Sequence, residues 1–158
     1  MRALIFFAAL IALAAPAAKQ ASSPIDLPPG THELLLEAKG DGVQIYTCTD
    51  SKWTLKAPEA KLLDLQGTVI GTHSAGPTWK LTDGSEVKGK AIASQPSPEA
   101  DSVPWLLIEA DPGSGSGQFT DVNYIRRTDT HGGAAPKEVC TDGELRQHYT
   151  ATYSFYSK

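Results

Sequence analysis

Between Glu33 and Tyr156 the chain is cut by Gly, Pro, Asp and Ser into short runs, and the apolar residues inside those runs step by two. A step of two puts alternate side chains on opposite faces of an extended strand, whereas a helix needs apolar residues every three to four positions. The C-terminus is the clearest case, with Tyr149, Ala151, Tyr153 and Phe155 on one face and His148, Thr150, Thr152 and Ser154 on the other. Trp53 with Leu55, and Trp79 with Leu81, show the same step. Candidate strands are Glu33–Ala38, Gly42–Thr47, Lys52–Lys56, Lys61–Leu65, Thr68–His73, Thr78–Thr82, Glu86–Ala93, Val103–Ala110, Asp121–Thr128 and Gln147–Tyr156. Helical alternatives reduce to one short helix over Pro58–Leu65 and a turn within Glu138–Gln147. Val103 to Ile108 is continuously apolar, as a central strand buried on both faces would be. Asp83-Gly84 is the strongest hairpin signal, and Asp41-Gly42 and Asp50-Ser51 also suit tight connections. About ten short strands with turn signals every 8–12 residues or so predict an all-β fold, an antiparallel β-sandwich or barrel, without internal repeats.

The first 17 residues stand apart. Met1-Arg2 is positively charged, Ala3 to Ala15 is an unbroken apolar run, and Ala15-Pro16-Ala17 puts small residues where a signal peptidase needs them. This is the layout of a secretory signal peptide; the run is short for a membrane span and leaves no polar face for a surface helix. Residues 18–30 read as a flexible lead-in and residues 31–158 as a single β domain, a length that suits one hydrophobic core. No later segment approaches the roughly 18 apolar residues of a transmembrane helix. The protein is expected to be exported, periplasmic or extracellular. An oxidising compartment favours pairing Cys48 with Cys140, the two cysteines of the chain, against the alternative of two free thiols. With no CxxC pair and no third sulfur, zinc and thioredoxin-like chemistry lack their ligands.

Fourteen basic residues against 18 acidic ones, a net charge of −4, argue against a nucleic-acid partner, because nothing would neutralise phosphates. Two stretches read as long loops. Ser94–Ser102 is rich in Pro and Ser, and Asp111–Gln118, Asp-Pro-Gly-Ser-Gly-Ser-Gly-Gln, reads as a mobile linker. Its glycines match neither the Walker spacing nor GxGxxG, and no cofactor motif is present elsewhere.

Candidate chemistry gathers around two histidines. His73 lies in Gly71-Thr72-His73-Ser74-Ala75-Gly76-Pro77-Thr78-Trp79, where one strand ends and another restarts at a Trp. A polar ring beside an aromatic floor is the usual makeup of a small-ligand pocket. His131 lies in a second Gly-Pro loop, Thr130 to Pro136, just before Cys140. Were His73 and His131 to meet, they would serve as metal ligands or as an acid–base pair; otherwise each bonds its own loop backbone. His32-Glu33 opens like a zinc-protease motif, but position 36 is Leu36. No GxSxG elbow exists, and the acidic residues, Glu109 at the end of an apolar run among them, single out no carboxylate pair. Arg126-Arg127 beside Tyr124 would suit an anionic ligand, a guanidinium binding carboxylate bidentately, or form a surface pair on an exposed strand.

Taken in order, Gly42–Cys48, Trp53, Pro58-Glu59-Ala60, Gly71 to Trp79, Asp83-Gly84-Ser85, Val103–Leu107, Thr130 to Pro136, Cys140 and Tyr153-Phe155-Tyr156 resemble a family of small exported bacterial and fungal proteins known as a domain of unknown function. The resemblance spans about residues 30–157 and implies export and the disulfide. Ser74 departs from the aromatic residue typical of the family at that position. Some members carry a malate dehydrogenase label, yet the dinucleotide fingerprint and the βαβ alternation it requires are missing here. The leading expectation is a binding module for a small polar ligand, sugar or cell-envelope component, with its site at His73, Trp79, Trp105 and His131. The alternatives are a hydrolase or metal-dependent enzyme using His73 and His131, and a structural protein with no ligand site.

Overall fold

Strict alternation in the last strand becomes the wall on which the rest of the fold closes. The computed structural model describes residues 22–158; the signal-peptide expectation at residues 1–17 lies outside the described residues. Eight antiparallel strands follow one another around a closed barrel: β1 (Leu34–Thr49), β2 (Lys52–Leu63), β3 (Val69–Ser74), β4 (Thr78–Leu81), β5 (Glu86–Gln95), β6 (Trp105–Ala110), β7 (Tyr124–Gly132) and β8 (Glu144–Tyr156). β8 pairs with both β7 and β1, which removes the open sheet edges. Tyr149, Ala151, Tyr153 and Phe155 point inward and are all buried, with Trp79, Leu81, Leu62, Val87 and Ile125 packed against them. Phe119, from a single 3-10 turn before β7, stacks on Phe155 at 4.7 Å and helps to fill that part of the core.

Ten expected strands become eight by two fusions. Glu33–Ala38 and Gly42–Thr47 join into β1, and Lys52–Lys56 and Lys61–Leu65 join into β2. Asp41-Gly42 is therefore not a turn. Its glycine is needed for close approach, since a Cβ on Gly42 would lie 2.2 Å from the Glu59 carbonyl oxygen and 2.4 Å from the Ala60 Cα. Pro58–Leu65 is strand, not helix. Pro58 is tolerated because β3 pairs only with Ala60–Leu63, so the Lys52–Glu59 stretch has β1 on one side and no β3 partner on the other. That two-stranded arm explains why Trp53 is only half-buried and Leu55 is exposed, despite the alternation they share with Trp79 and Leu81. The Asp50-Ser51 and Asp83-Gly84 turns form as expected, the former with both residues at positive φ, 50° and 61°.

The apolar run before Ala110 is covered on both sides, for a reason the pattern did not reveal. Ile108 packs into the barrel core, whereas Leu107 packs outside with Tyr124 and Ile25. Ile25 is 1% exposed, so the part of the 18–30 lead-in from residue 22 onward docks on the barrel wall and does not behave as free chain. Ser23 Oγ donates to Gln95 Oε1 at 2.5 Å, and the His32 ring lies 2.9 Å from the Ser157 carbonyl and 2.8 Å from that of Pro28.

The Asp111–Gln118 stretch is likewise held. Ser114 through its hydroxyl, and Ser116 through both its backbone amide and its hydroxyl, form a substitute ladder along β5, while Ser114 N donates to the Asp111 carbonyl within the loop. Ser114 Oγ accepts from Lys88 N at 3.1 Å and donates to Lys88 O at 2.9 Å; Ser116 N donates to Glu86 O at 2.9 Å, and Ser116 Oγ accepts from Glu86 N at 3.1 Å. Gly-Ser composition alone describes a flexible chain, but here two hydroxyls spaced by two residues meet the stretch of β5 before Gly89, where pairing with β6 has not begun. Cys48 and Cys140 are disulfide-bonded, with Cα atoms 5.8 Å apart, tying the end of β1 to the β7–β8 loop. Among the described residues no helix is long and apolar enough to cross a membrane. The disulfide and that lack of a spanning helix are compatible with export.

Candidate functional site

An eight-stranded barrel has an interior wide enough to be filled by side chains or to keep room for one small ligand. Here one end is packed by aromatic rings and the other is left partly open, as a cavity of about 240 Å³. All eight strands contribute to its lining: Gln44 from β1, Leu55 to Pro58 from the β2 arm, His73 from β3, Trp79 from β4, Ala91 from β5, Leu106 and Ile108 from β6, Arg127 from β7 and Tyr153 from β8. Ala75, Gly76 and Pro77 of the β3–β4 turn complete the rim.

His73 and Trp79 are brought together as the sequence led one to expect. They are direct cross-strand partners in the β3–β4 hairpin, and their rings stack at 4.5 Å with an angle of 12° between planes. Tyr153 closes over the same pair, 5.1 Å from His73 and 5.8 Å from Trp79. His73 is 3% exposed, and its Nδ1 lies 3.0 Å from the Thr78 carbonyl. A carbonyl only accepts, so Nδ1 carries the proton and Nε2 keeps a lone pair.

Burial pushes the His73 pKa down to about 4; the Thr78 carbonyl opposes that shift and the Arg127 charge adds to it. At neutral pH the ring is uncharged. Because this pKa lies below the ordinary value of 6.5, the unfolded chain takes up the proton first as pH falls. The resulting stabilisation is complete above about pH 6.5, is lost progressively as pH drops to 4, and changes no further below that; the gap corresponds to about 3 kcal/mol. Urea unfolding of the native protein and of His73→Gln at pH 7 and pH 4 measures it. The native protein is expected to lose about 3 kcal/mol more than the variant over that interval. Equal losses would mean that the ring is hydrated in the folded protein.

The other two expected ligand residues sit elsewhere. Trp105 is on the outer face of β6, packed with Ile25, Leu107 and Tyr124. His131 is exposed on β7 opposite Thr150, beyond a register shift that follows Thr128, and does not line the cavity with His73. Among the described residues the cavity lining contains no Asp or Glu, and Glu109 is half-buried outside it. Among the described residues no three His, Cys, Asp or Glu side chains gather as a metal would require.

Strand alternation also separates Arg126 from Arg127. Arg127 turns inward, is 9% exposed, and donates Nε and Nη2 to the Pro104 carbonyl at 3.1 and 2.8 Å. Arg126 and Tyr124 belong to neighbouring outward positions, so the two arginines form neither the anion-binding pair nor the exposed surface pair weighed from the sequence, and only Arg127 lines the cavity. Gln44 is not among the site residues that the sequence predicts. It is 1% exposed, and among the described residues its Nε2 has no hydrogen-bond partner; Trp79 Nε1 is in the same condition. A signal was present, since Gln44 shares its parity with Ala38, Gly40 and Gly42 once these belong to one strand. Deeper in the core Tyr149 and Tyr153 share a hydroxyl–hydroxyl hydrogen bond of 3.1 Å, and burial raises both phenol pKa values.

A family model described as "Protein of unknown function (DUF3455)" matches residues 28–157, which takes in the whole barrel and both cysteines. No curated protein and no solved structure matches the chain.

Proposed function

Because the chain belongs to the DUF3455 family, whose description assigns no activity to inherit, we propose from the barrel itself that it is an exported binding module for a small organic ligand. In this reading residues 1–17 are a signal peptide, and the ligand enters the open barrel end to lie against the His73–Trp79 stack. The observation that carries it is the unfilled cavity of about 240 Å³ at a place where a barrel of this size is otherwise closed by side chains. That volume lies just below the roughly 300–1,000 Å³ of pockets for drug-sized ligands, which suits a smaller metabolite. Its walls are largely apolar, with a few convergent polar groups, the composition that gives a pocket both affinity and orientation.

The test is a panel of small neutral and charged organic compounds titrated into ¹⁵N-labelled protein, followed at the Trp79 Nε1–H resonance. Some of the panel should shift that resonance together with residues around the cavity. Ala91→Phe, at an exposed lining position, should abolish the shifts without disturbing the core. A panel without effect, or shifts that survive the blocked entrance, would overturn the reading.

A further inference from the structure

Among the described residues, Arg127 is a permanent positive charge lining the barrel cavity with no negative partner. Arg127 is 9% exposed, and none of the ion pairs among the described residues includes it. Two of its five N–H groups are satisfied by the Pro104 carbonyl, and the Tyr153 hydroxyl beside it is a further partner, also neutral. Withdrawing a guanidinium from water is costly unless an anion compensates, and structural arginines meet that cost with a carboxylate beside them. Among the described residues no Asp or Glu lines the cavity that Arg127 faces. Lys56, the other cation of the lining, is exposed at the rim and already joined to Glu144 at 2.7 Å.

The uncharged polar groups point to the same missing partner. Gln44 Nε2 and Trp79 Nε1 are both N–H donors, both fully buried, and both without an acceptor among the described residues. Buried donors are nearly always satisfied, and each orphan costs free energy comparable to a lost hydrogen bond. A wall that offers a guanidinium and unmet N–H groups calls for an occupant that brings acceptors and one negative charge.

Resting on the binding reading above, we propose that the occupant is an organic carboxylate, its carboxyl group held by Arg127 with Gln44 as a second donor and its apolar body lying along Leu106, Ile108 and the Trp79 ring. A carboxylate presents two oxygens and about four lone-pair sites in a plane, matching a guanidinium edge and leaving an acceptor for an amide. A single guanidinium in a small, mostly apolar space suits a monoanion better than a phosphate, which carries roughly two charges at neutral pH and more acceptor oxygens than this wall can serve.

Benzoate, benzyl alcohol and phenyl phosphate share one ring and differ in the headgroup. Titrated separately into the full protein at pH 7 and constant ionic strength, with the Trp79 Nε1–H and Arg127 Nε–H resonances as readouts, benzoate should bind at least about tenfold more tightly than benzyl alcohol. The Arg127 Nε–H resonance should move with benzoate and not with the alcohol. In Arg127→Gln the preference for benzoate should vanish while the alcohol still binds. Should that variant not fold, Gln44→Leu, which keeps side-chain bulk, should lower the preference several-fold, and the Arg127 resonance in the native protein reports regardless. Equal affinity for benzoate and the alcohol would overturn the carboxylate assignment and leave the binding module standing. Tighter binding of phenyl phosphate, or a preference unaffected by Arg127→Gln, would also overturn it. Failure of all three probes together with the wider panel would overturn both readings.

Discussion

Reducing the Cys48–Cys140 bond is expected to lower the unfolding free energy by about 4–5 kcal/mol while leaving the barrel folded at room temperature. The two cysteines are 92 residues apart, and a crosslink of that span removes a large part of the freedom of the unfolded chain. Its contribution to the native state is local by comparison. β1 is held to β8 and β2 along most of its length by ladder hydrogen bonds that do not depend on the bond. Cys140 anchors the β7–β8 loop, with Cys140 N donating to Ser51 O at 3.4 Å and Cys48 N to Gly143 O at 3.0 Å. Guanidinium unfolding of the native protein and of the Cys48→Ser, Cys140→Ser double variant separates the two effects. The midpoint should fall and the slope should rise in the variant, because its unfolded chain expands further. Hydrogen exchange in the variant should quicken in residues 133–143 and stay slow in β8. A loss below about 1 kcal/mol would show that the unfolded chain is already compact around these positions.

The features legible in the sequence were those set by near neighbours. His73 and Trp79 are six positions apart, joined by a tight turn, so their meeting follows from a hairpin alone. The alternation in β8 survives in full because it is uninterrupted from Glu144 to Tyr156. Cys48 and Cys140 needed no geometry, only an oxidising compartment and the absence of other sulfurs. What stayed hidden depended on parity across distant strands. Trp105 turns outward because Leu106 and Ile108 take the inner positions of β6, and which set goes inside is decided by pairing with β5 and β7. His131 follows a register shift in β7 that no local pattern announces. The fusion of β1 across Asp41-Gly42 was invisible for the opposite reason. A dipeptide that favours turns serves here as the place where two backbones pass too close for a Cβ. The inward direction of Gln44 likewise follows only when β1 is one continuous strand. Ile25 shows the limit of composition: a segment rich in Pro and Ser is held by two apolar side chains, Ile25 and Leu27, that find the outer cluster around Leu107 and Tyr124.

Trp79→Ala is expected to cost about 3–5 kcal/mol, enough to consume much of the stability of a domain this size. Trp79 is fully buried, stacked on His73, and meets Tyr153 and Phe155 edge-on at 5.8 and 6.1 Å. It is at once a core residue and the wall of the cavity, so its loss tests packing and site together. The surrounding strands are fixed by ladder bonds and cannot collapse into the space, which places the cost toward the upper end of large-to-small substitutions. The enlarged hole would also be continuous with the existing cavity and so open to water. Hydration of the His73 ring should then raise its pKa from about 4 back toward the ordinary histidine range, because burial is the largest cause of its depression. Trp79→Phe separates the two roles. It keeps an aromatic ring against His73, should cost less than half as much, and should leave the His73 titration low. Thermal unfolding gives the stability of each variant, and the His73 ring resonances followed from pH 7 to pH 3 give the titration. A Trp79→Ala protein that remains near native stability, with His73 still titrating near 4, would show that Tyr153 and Phe155 keep the cavity dry without Trp79, and would leave the indole only its Nε1–H donor as a role in the site.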